Sequence, residues 1–286
     1  MRHLARITVG ALAALAAVAG CGSGPTPEAL YAEAEQLRLK YEKCASDEAI
    51  TLYRQAMTAW EEGGQHRDAA RAGQGLGATY DQLGLLEDSL RAYQSALSLA
   101  RESPDRVLES EIASAMGTAR ARTADGEVAF DEAREQCRRA HELARRHGNK
   151  RAEGSALSCF GEVAYYQFRP DEALERYKAA GRVCGEVGDR AGEAQAHLYQ
   201  GHVYSDQSKF EEARDCFEQA QSIWVSLGDE RGRAITLVGE ARLLVRQGEY
   251  QEALDRFQSA LALLRPMGDA VWEGSSLTGI ARVYLD

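Results

Sequence analysis

The feature that most constrains this chain is a repeat of about forty residues that runs through most of its 286 residues. The repeat is marked by a dipeptide of glycine followed by asparagine or aspartate, which recurs at Gly148-Asn149, Gly188-Asp189, Gly228-Asp229 and Gly268-Asp269. Weaker counterparts are Gly64-Gln65 and Pro104-Asp105. Glycine readily takes the left-handed conformation just after a helix, and Asp or Asn caps the start of the next helix. The markers therefore predict short helices joined by tight turns, and no strands.

Side-chain size repeats with the same period. The fifth unit alternates small residues with large aromatic ones, in the order Gly201, Tyr204, Ala213, Phe217 and Ala220. The second, fourth and sixth units keep most of this order, but the third unit has Arg120 and Cys137 in its two large positions. The third unit also contains four extra residues, which we expect to form a longer turn around residues 124–127.

This order of small and aromatic positions resembles the tetratricopeptide repeat, in the longer form found in kinesin light chains and in bacterial multi-repeat signalling proteins. The resemblance covers nearly all of residues 28–286. It implies an all-α, right-handed solenoid of about six helical hairpins plus a terminal helix. It also implies a concave groove lined by the first helix of each hairpin. Such a fold supports many functions, so the function must be inferred from the groove.

The first twenty-one residues predict export and a lipid anchor. Two arginines precede an apolar run over residues 7–19, which is too short to span a bilayer and is typical of a signal peptide. The run ends in Val18-Ala19-Gly20-Cys21, which resembles the lipobox of bacterial lipoproteins. This resemblance implies that the Cys21 sulfur is lipidated and that the chain is cut before it. Ordinary secretion, with cleavage after Ala19, is the alternative.

The chain therefore divides into a signal peptide (1–20), a lipidated cysteine with a flexible tether (21–27) and the solenoid (28–286). The tether reaches at most about 20 Å, so it would hold the solenoid close to a membrane. In bacterial lipoproteins, an aspartate directly after the lipidated cysteine resembles a signal for retention in the inner membrane. This chain has Gly22 at that position. We expect the outer membrane, facing the periplasm, in a Gram-negative cell, and otherwise the outer face of the cytoplasmic membrane.

Charge and motifs argue against catalysis and nucleic-acid binding. The net charge is -10, and acidic residues occur in every segment, whereas a phosphate-binding surface is basic. The sequence has no phosphate loop, nucleotide-binding glycine motif, nucleophile elbow or zinc-protease motif, and its six histidines never stand four residues apart. We therefore expect no enzyme activity, no cofactor, no metal, no small-molecule substrate and no nucleic-acid partner.

The cysteines after Cys21 have no metal-binding spacing; they are Cys44, Cys137, Cys159, Cys184 and Cys216. The default interpretation is that they are buried thiols that pack as small apolar side chains. However, Cys137 lies on a helix expected to face the first helix of the next unit, which carries Cys159. Export would place both thiols in an oxidising space, so a Cys137–Cys159 disulfide is the alternative.

The resemblance also implies which side chains face the groove. Carried over position by position, they are Arg71, Gln74, Asp81, Gln82, Glu111, Ser114, Thr118, Arg122, Ser155, Ser158, Glu162, Tyr165, Tyr166, Gln195, His202, Ser205, Asp206, Arg242, Arg246 and Arg282. The predicted partner-binding site comprises seven of them, namely Glu162, Tyr165, Tyr166, His202, Asp206, Arg242 and Arg246.

Two kinds of contact are expected there. Tyr165 and Tyr166, beside His202, would anchor a partner through large aromatic contacts. Arg242 and Arg246, with a third arginine on the last helix, would hold an acidic segment. The alternative is that one tyrosine packs inside its own hairpin and that the arginines are solvated.

The sequence thus predicts a membrane-tethered scaffold of the bacterial envelope that binds an unknown envelope protein or peptide segment in its groove. The lysine and asparagine clamp of chaperone-docking tetratricopeptide domains is not reproduced, so that role is not carried over. The alternative is an isolated or truncated sensor arm of a multi-domain signalling protein.

Overall fold

The computed structural model describes residues 24–40 and 43–285, and every regular element in this part is an α-helix. Six hairpins of two helices follow one another, and each packs on the next. The first three are α1 (Pro27–Arg38) with α2 (Lys43–Glu62), α3 (His66–Gln82) with α4 (Leu86–Glu102), and α5 (Arg106–Thr123) with α6 (Glu127–Arg146). The others are α7 (Lys150–Tyr166) with α8 (Pro170–Glu186), α9 (Arg190–Asp206) with α10 (Phe210–Leu227), and α11 (Glu230–Gln247) with α12 (Tyr250–Met267), followed by α13 (Ala270–Val283). The predicted all-α solenoid is confirmed.

The turns between hairpins have the predicted chemistry. Gly148 takes the left-handed conformation with φ 65°. The Asn149 side chain then accepts a hydrogen bond of 2.9 Å from the backbone amide of Ala152, in the first turn of α7. Equivalent side-chain caps are made by Asp105, Asp189, Asp229 and Asp269. Each marker therefore ends one hairpin and starts the next.

The alternation of small and aromatic residues has a direct packing reason. The Phe217 ring of α10 is fully buried, between glycines on two different first helices. A Cβ atom would lie 2.6 Å from this ring at Gly201, in the same hairpin, and 2.8 Å from it at Gly239, in the next hairpin. Such distances are too short for any real side chain. The ring therefore sets the spacing both within a hairpin and between hairpins.

The third hairpin is joined to the fourth differently. Cys137 of α6 and Cys159 of α7 form a disulfide whose Cα atoms are 5.6 Å apart. A Cβ atom on Gly117 would lie 2.6 Å from the Cys159 sulfur and 3.1 Å from the Cys137 sulfur. The disulfide therefore fills the position of the aromatic ring in other hairpins. The default interpretation of these two cysteines as free thiols is wrong, and the alternative disulfide is present; Cys184 and Cys216 are buried and free, as expected.

The extra residues of the third unit do not form the longer turn that the sequence suggested. The connection between α5 and α6 covers only residues 124–126, the same length as the connection over residues 167–169. Instead, α5 has 18 residues and α6 has 20, whereas α7 and α8 have 17 each. Adding these residues to helices keeps their backbone groups hydrogen-bonded, which a longer loop would not.

The solenoid begins one residue earlier than predicted. Pro27, assigned to the tether, is the first residue of α1, where proline is favourable because its missing N–H has no helical partner. The Thr26 hydroxyl caps this helix by accepting a bond from the Ala29 amide. The predicted signal peptide and Cys21 lie outside the described residues. Between Gly24 and Leu285, the described helices include none with the length and apolar character needed to cross a bilayer.

The first helices of the hairpins line one side of the solenoid. Each touches the first helix of the next hairpin, in the series α3, α5, α7, α9, α11 and α13. The array also curves back on itself, because a Cβ atom on Gly84, in the turn after α3, would lie 3.6 Å from Val271 of α13. The inner surface is therefore built by first helices and enclosed by the last one.

Candidate partner-binding groove

Three neighbouring clefts open on the inner surface. The central cleft, of about 630 Å³, is lined by Gln74, Asp81, Tyr93, Glu111, Ser114, Ala115, Thr118, Arg122, Arg151, Gly154, Ser155, Ser158, Glu162, Cys184, Gly192, Gln195 and Tyr199. The tyrosine pocket, of about 220 Å³, is lined by Arg122, Glu162, Tyr165, Tyr166, Tyr177, Tyr199, His202, Arg242 and Trp272. The C-terminal cleft, of about 580 Å³, is lined by Arg242, Val245, Arg246, Phe257, Ser275, Thr278, Gly279 and Arg282. Shared lining residues make the three a continuous groove.

The tyrosine pocket brings together five of the seven predicted site residues, Glu162, Tyr165, Tyr166, His202 and Arg242. The other two lie at its edge, in one hydrogen-bonded chain. The Tyr165 hydroxyl donates to Asp206 Oδ2 at 2.7 Å, and Arg246 Nη2 donates to Asp206 Oδ1 at 2.6 Å. Helices α7, α9 and α11 are thereby linked across the groove by side chains that the sequence placed on one face.

The two predicted tyrosines play different parts in this pocket. Tyr165 and Tyr166 meet edge to face, with ring centroids 5.5 Å apart. Tyr165 is held by its bond to Asp206, whereas Tyr166 is 36% exposed and presents its ring to the groove. Behind them, Tyr177 is buried and lies 5.1 Å from the ring of Tyr199. The pocket thus has a fixed aromatic wall and one open tyrosine.

Glu162 is a buried carboxyl group at the bottom of the pocket, with only 7% of its surface exposed. Burial raises its pKa, and the positive charge of Arg122 together with a hydrogen bond from Tyr199 offsets only part of this effect. The Arg122 guanidinium is also bound to Asp81, at 2.5 Å. Because the positive charge of Arg122 is shared with Asp81, Glu162 retains the capacity to form a hydrogen bond with a ligand.

His202 provides a neutral ring beside the tyrosines. Its imidazole meets the Phe217 ring edge to face, with centroids 5.4 Å apart. Burial and the nearby charge of Arg242 lower the pKa of His202 to about 4, against a smaller opposing effect of Asp206. The imidazole is therefore uncharged near pH 7 and adds a neutral aromatic ring to the site rather than a positive charge.

The position-by-position assignment was partly incomplete. Arg71, Gln82, Ser205 and Asp206 were expected in the groove, but they line none of the three clefts. Asp206 reaches only the edge of the tyrosine pocket, through its hydrogen bond with Tyr165. In the tyrosine pocket, three aromatic residues were missed, namely Tyr177, Tyr199 and Trp272. Tyr199 follows Gln195 by four residues and precedes His202 by three, so helical periodicity on α9 was a sufficient signal. Trp272 carries no such signal, because it reaches the pocket only through the curvature of the whole array.

The described residues offer no cluster of three or more histidine, cysteine, aspartate or glutamate side chains suited to a metal ion. What the groove presents is aromatic surface, hydroxyl groups and charged side chains spread over several first helices. Such a surface can bind an extended polypeptide through many shallow contacts.

The sequence model of the tetratricopeptide repeat matches residues 38–102 and 192–265. A search of the curated proteins finds no significant match. Among solved structures, a Rap protein complexed with competence and sporulation factor superposes with a TM-score of 0.65 at 14% identity, covering 90% of this chain and 74% of the Rap protein. The Rap conjugation gene regulator of the plasmid pLS20, in complex with the Phr* peptide, gives 0.61 at 14% identity, covering 91% of this chain and 73% of that one.

A third similar structure is a signal-transduction ATPase with numerous domains, from Pyrococcus horikoshii, which has a tetratricopeptide repeat sensor. It superposes with a TM-score of 0.62 at 16% identity, covering 91% of this chain but only 40% of the ATPase. At these identities the likeness is one of fold.

Proposed function

We propose that this chain, which matches the tetratricopeptide repeat model over residues 38–102 and 192–265, is a protein-interaction scaffold and works in the bacterial envelope. There, held at a membrane by a lipid on Cys21, it binds an extended segment of a partner protein along its groove. The role is binding without catalysis. The observation that carries this proposal is the tyrosine pocket, in which side chains from six helices converge on a cavity that is open to the groove.

The pocket has the properties of an anchor for a partner side chain. Its wall is aromatic and largely fixed, so binding costs little side-chain entropy. Polar groups at its edge, including Glu162 and Asp206, would orient the partner through hydrogen bonds. The likeness to two Rap structures, one holding a factor and one a peptide, supports an occupant of the same kind for this groove.

Export and lipidation rest on different support. The lipobox-like end of the apolar run, at Cys21, favours a lipid anchor, and α1 begins only a few residues later. The Cys137–Cys159 disulfide favours an oxidising compartment outside the cytoplasm, because structural disulfides rarely persist in reducing cytosol. The short tether would keep the groove near the membrane surface.

Site-specific photo-crosslinking tests the groove. A benzophenone amino acid at Tyr166, on the inner surface, is expected to crosslink a discrete partner in cells. The same group at Phe168, only two residues away but 93% exposed in the turn after α7, is the matched control and should remain uncrosslinked. Crosslinks from Phe168 alone, or equally from both positions, would contradict binding in the groove.

The anchor is tested separately. In cells fed a labelled fatty acid, the wild-type chain should carry the label and sediment with membranes, and Cys21→Ser should do neither. An unlabelled wild-type chain recovered in the soluble exported fraction would favour the alternative of ordinary secretion.

The likeness to the sensor of the multi-domain ATPase favours a second candidate, a sensor arm whose groove reports a bound ligand to an effector domain. An immunoblot against the solenoid distinguishes the two. A band larger than the 286-residue chain would favour the sensor arm, and a band no larger would favour the scaffold.

A further inference from the structure

We propose that the central cleft receives a positively charged nitrogen group of the partner segment, close to the side chain that the tyrosine pocket anchors. This inference rests on the proposed function, because it names the chemistry of the segment that the groove receives. It is carried by two carboxyl groups that the described chain leaves without an ion pair and by a buried hydroxyl group without a hydrogen bond.

The arginines of the central cleft are already engaged. Arg122 is bound to Asp81 at 2.5 Å, and both side chains line the cleft. Arg151 is paired with Asp189 at 3.3 Å, and 71% of its side chain is exposed. The positive charges that line the cleft are thus paired with aspartates, which leaves its two glutamates.

Glu111 and Glu162 are those two glutamates, and in the described part of the chain neither forms an ion pair. Burial raises the pKa of Glu111, and two arginines at longer range and a hydrogen bond from Gln74 offset only part of this effect. The pKa of Glu162 is raised by burial in the same way. A cation bound in the cleft would restore part of the stabilisation that each carboxylate loses when it is buried.

Glu111 and Glu162 lie towards opposite ends of the cleft. They belong to α5 and α7, neighbouring first helices that run in the same direction because the antiparallel helix α6 joins them. The charge of Arg151, in the first turn of α7, acts on Glu111. The charge of Arg122, in the last turn of α5, acts on Glu162. A cationic group in the middle of the cleft would therefore lie between two carboxylates.

The Ser114 hydroxyl is an independent sign of a ligand at this place. Ser114 follows Glu111 by three residues on α5, lines the cleft and is only 5% exposed. Its oxygen has no hydrogen-bond partner in the described chain. By contrast, the buried hydroxyls of Thr79 and Thr236, on two other first helices, each donate to a backbone carbonyl four residues earlier. A buried polar atom without a partner costs stability, and an ammonium or guanidinium group, which only donates, could supply that partner.

The position of the central cleft sets the order of side chains in the partner. Arg122, Glu162 and Tyr199 line both the central cleft and the tyrosine pocket. Glu111 and Ser114 line only the central cleft. The partner segment should therefore carry its cationic group a few residues from the side chain that is anchored among the tyrosines.

A randomised eight-residue peptide library tests this inference. It is synthesised once with acetylated and once with free amino termini, passed over the immobilised full chain, and the retained peptides are sequenced by mass spectrometry. Enrichment of Lys or Arg in both libraries is expected for binding of a basic side chain. Retention restricted to the library with free termini would instead assign the amino terminus as the cationic group.

The decisive variant is Glu111→Gln, because Glu111 lines the central cleft but not the tyrosine pocket. Its affinity for the selected peptides should fall by about tenfold, since a carboxylate that faces a cation is replaced by a neutral amide. The matched control is Glu175→Gln, which removes the same charge from an exposed position of α8 and should change affinity less than about twofold. This comparison separates recognition in the cleft from general attraction of cationic peptides to a chain of net charge -10.

Ser114→Ala separates binding from folding. Removing a buried hydroxyl that has no partner should leave the thermal midpoint of the free chain unchanged or higher. The same variant should bind the selected peptides about threefold more weakly, because one acceptor for the cationic group is lost. Weaker binding without a lower midpoint is not expected of a residue that serves only the fold.

Substitution in the peptide completes the test. Replacing its enriched Lys or Arg by Gln, or acetylating its amino terminus where that is the cationic group, should lower affinity about tenfold with the wild-type chain. With Glu111→Gln the same change should cost less than about threefold, because the two groups interact.

Four results would overturn the inference. Peptides retained without a cationic preference, equal affinities of Glu111→Gln and Glu175→Gln, full affinity of Ser114→Ala, or equal costs of the peptide substitution with both chains would refute cation binding while leaving the binding groove standing. A library that leaves no peptide on the wild-type chain would refute the proposed function as well.

Discussion

The third hairpin and the tyrosine pocket each bury a glutamate, and they treat it in opposite ways. Glu109 of α5 is 1% exposed and lies among Arg101, Arg106 and Arg139. Burial alone would raise its pKa, but hydrogen bonds from Arg139 and Arg106 outweigh burial, and its pKa is lowered. Glu162, whose main positive neighbour also serves Asp81, keeps a raised pKa.

This difference distinguishes a carboxylate that stabilises the fold from one that is available to a ligand. A buried carboxylate whose pKa is lowered by arginines of the same chain contributes to stability near pH 7, and its hydrogen-bonding capacity is already used. A buried carboxylate with incomplete partners costs stability, and such costs are typical of binding sites. The third hairpin, which has Arg120 and Cys137 in its two large repeat positions, is therefore held by the ion cluster and linked to the fourth hairpin by the disulfide. The tyrosine pocket, by contrast, retains polar groups whose hydrogen-bonding capacity the chain itself does not fully use.

Among the substitutions that test this comparison, loss of the disulfide should change the free energy of unfolding most. Replacing both Cys137 and Cys159 by alanine should lower the free energy of unfolding by about 3 kcal/mol, because the 22-residue loop is no longer closed in the unfolded chain. Denaturant titration with circular dichroism measures this. The matched control, Cys184→Ala with Cys216→Ala, removes two buried sulfurs without a crosslink and should cost less. Equal losses in the two double variants would show that the disulfide does not hold the third hairpin.

The next effect should come from Glu109. Glu109→Gln is expected to cost about 2 kcal/mol, since arginines that it now satisfies would lose charged hydrogen bonds. Glu142→Gln, in the same hairpin but with 48% of its side chain exposed, is the control and should cost under about 0.5 kcal/mol. Because the pKa of Glu109 is lowered, its stabilisation is complete above the usual carboxyl range and disappears as the pH falls through the lowered pKa. A variant as stable as the wild-type chain at pH 7 would argue against the ion cluster.

The smallest effect, and the one of opposite sign, should come from Glu162. Because its pKa is raised, the contribution of Glu162 to stability declines as the pH rises from the usual carboxyl value through the raised value. Glu162→Gln should therefore leave stability at pH 7 unchanged or raise it by less than about 1 kcal/mol, and the two proteins should converge in acid. Thermal melts between pH 3 and pH 8 test this. A clear loss of stability at pH 7 would make Glu162 a structural residue like Glu109.

The binding readout completes the comparison. Glu162→Gln should weaken capture of the photo-crosslinked partner, because an amide replaces the carboxyl group at the bottom of the tyrosine pocket. Glu109→Gln should leave capture per folded molecule unchanged. The yield of crosslinked product from position 166, normalised to folded protein, measures both. A reversed pattern would place the binding surface on the third hairpin.

Much of the fold was predictable because it repeats. The markers and the small-to-aromatic spacing each recur in several units, so one irregular unit does not hide the pattern. The irregular unit is where prediction failed, since spacing alone could not choose between free thiols and a bridge at Cys137. Nor could it show that α5 and α6, rather than their turn, take up four extra residues.

The site was predictable to the extent that it depends on single helices. Tyr165 and His202 lie where a first helix must turn its inner face, and the structure brings both into the tyrosine pocket. Trp272 was not predictable in this way. It lines the same pocket as Arg122, which lies 150 residues earlier in the chain, because the stacked hairpins curve around the groove. The spacing of residues within one helix does not predict this curvature.

Hydrogen–deuterium exchange of the full chain, with and without its captured partner, tests most directly whether a polypeptide lies along the first helices. Slower exchange is expected in α7, α9 and α11, whose side chains form the tyrosine pocket and its edge, with α8, α10 and α12 nearly unchanged. Protection confined to these second helices, or to the turn that carries Phe168, would contradict binding in the groove.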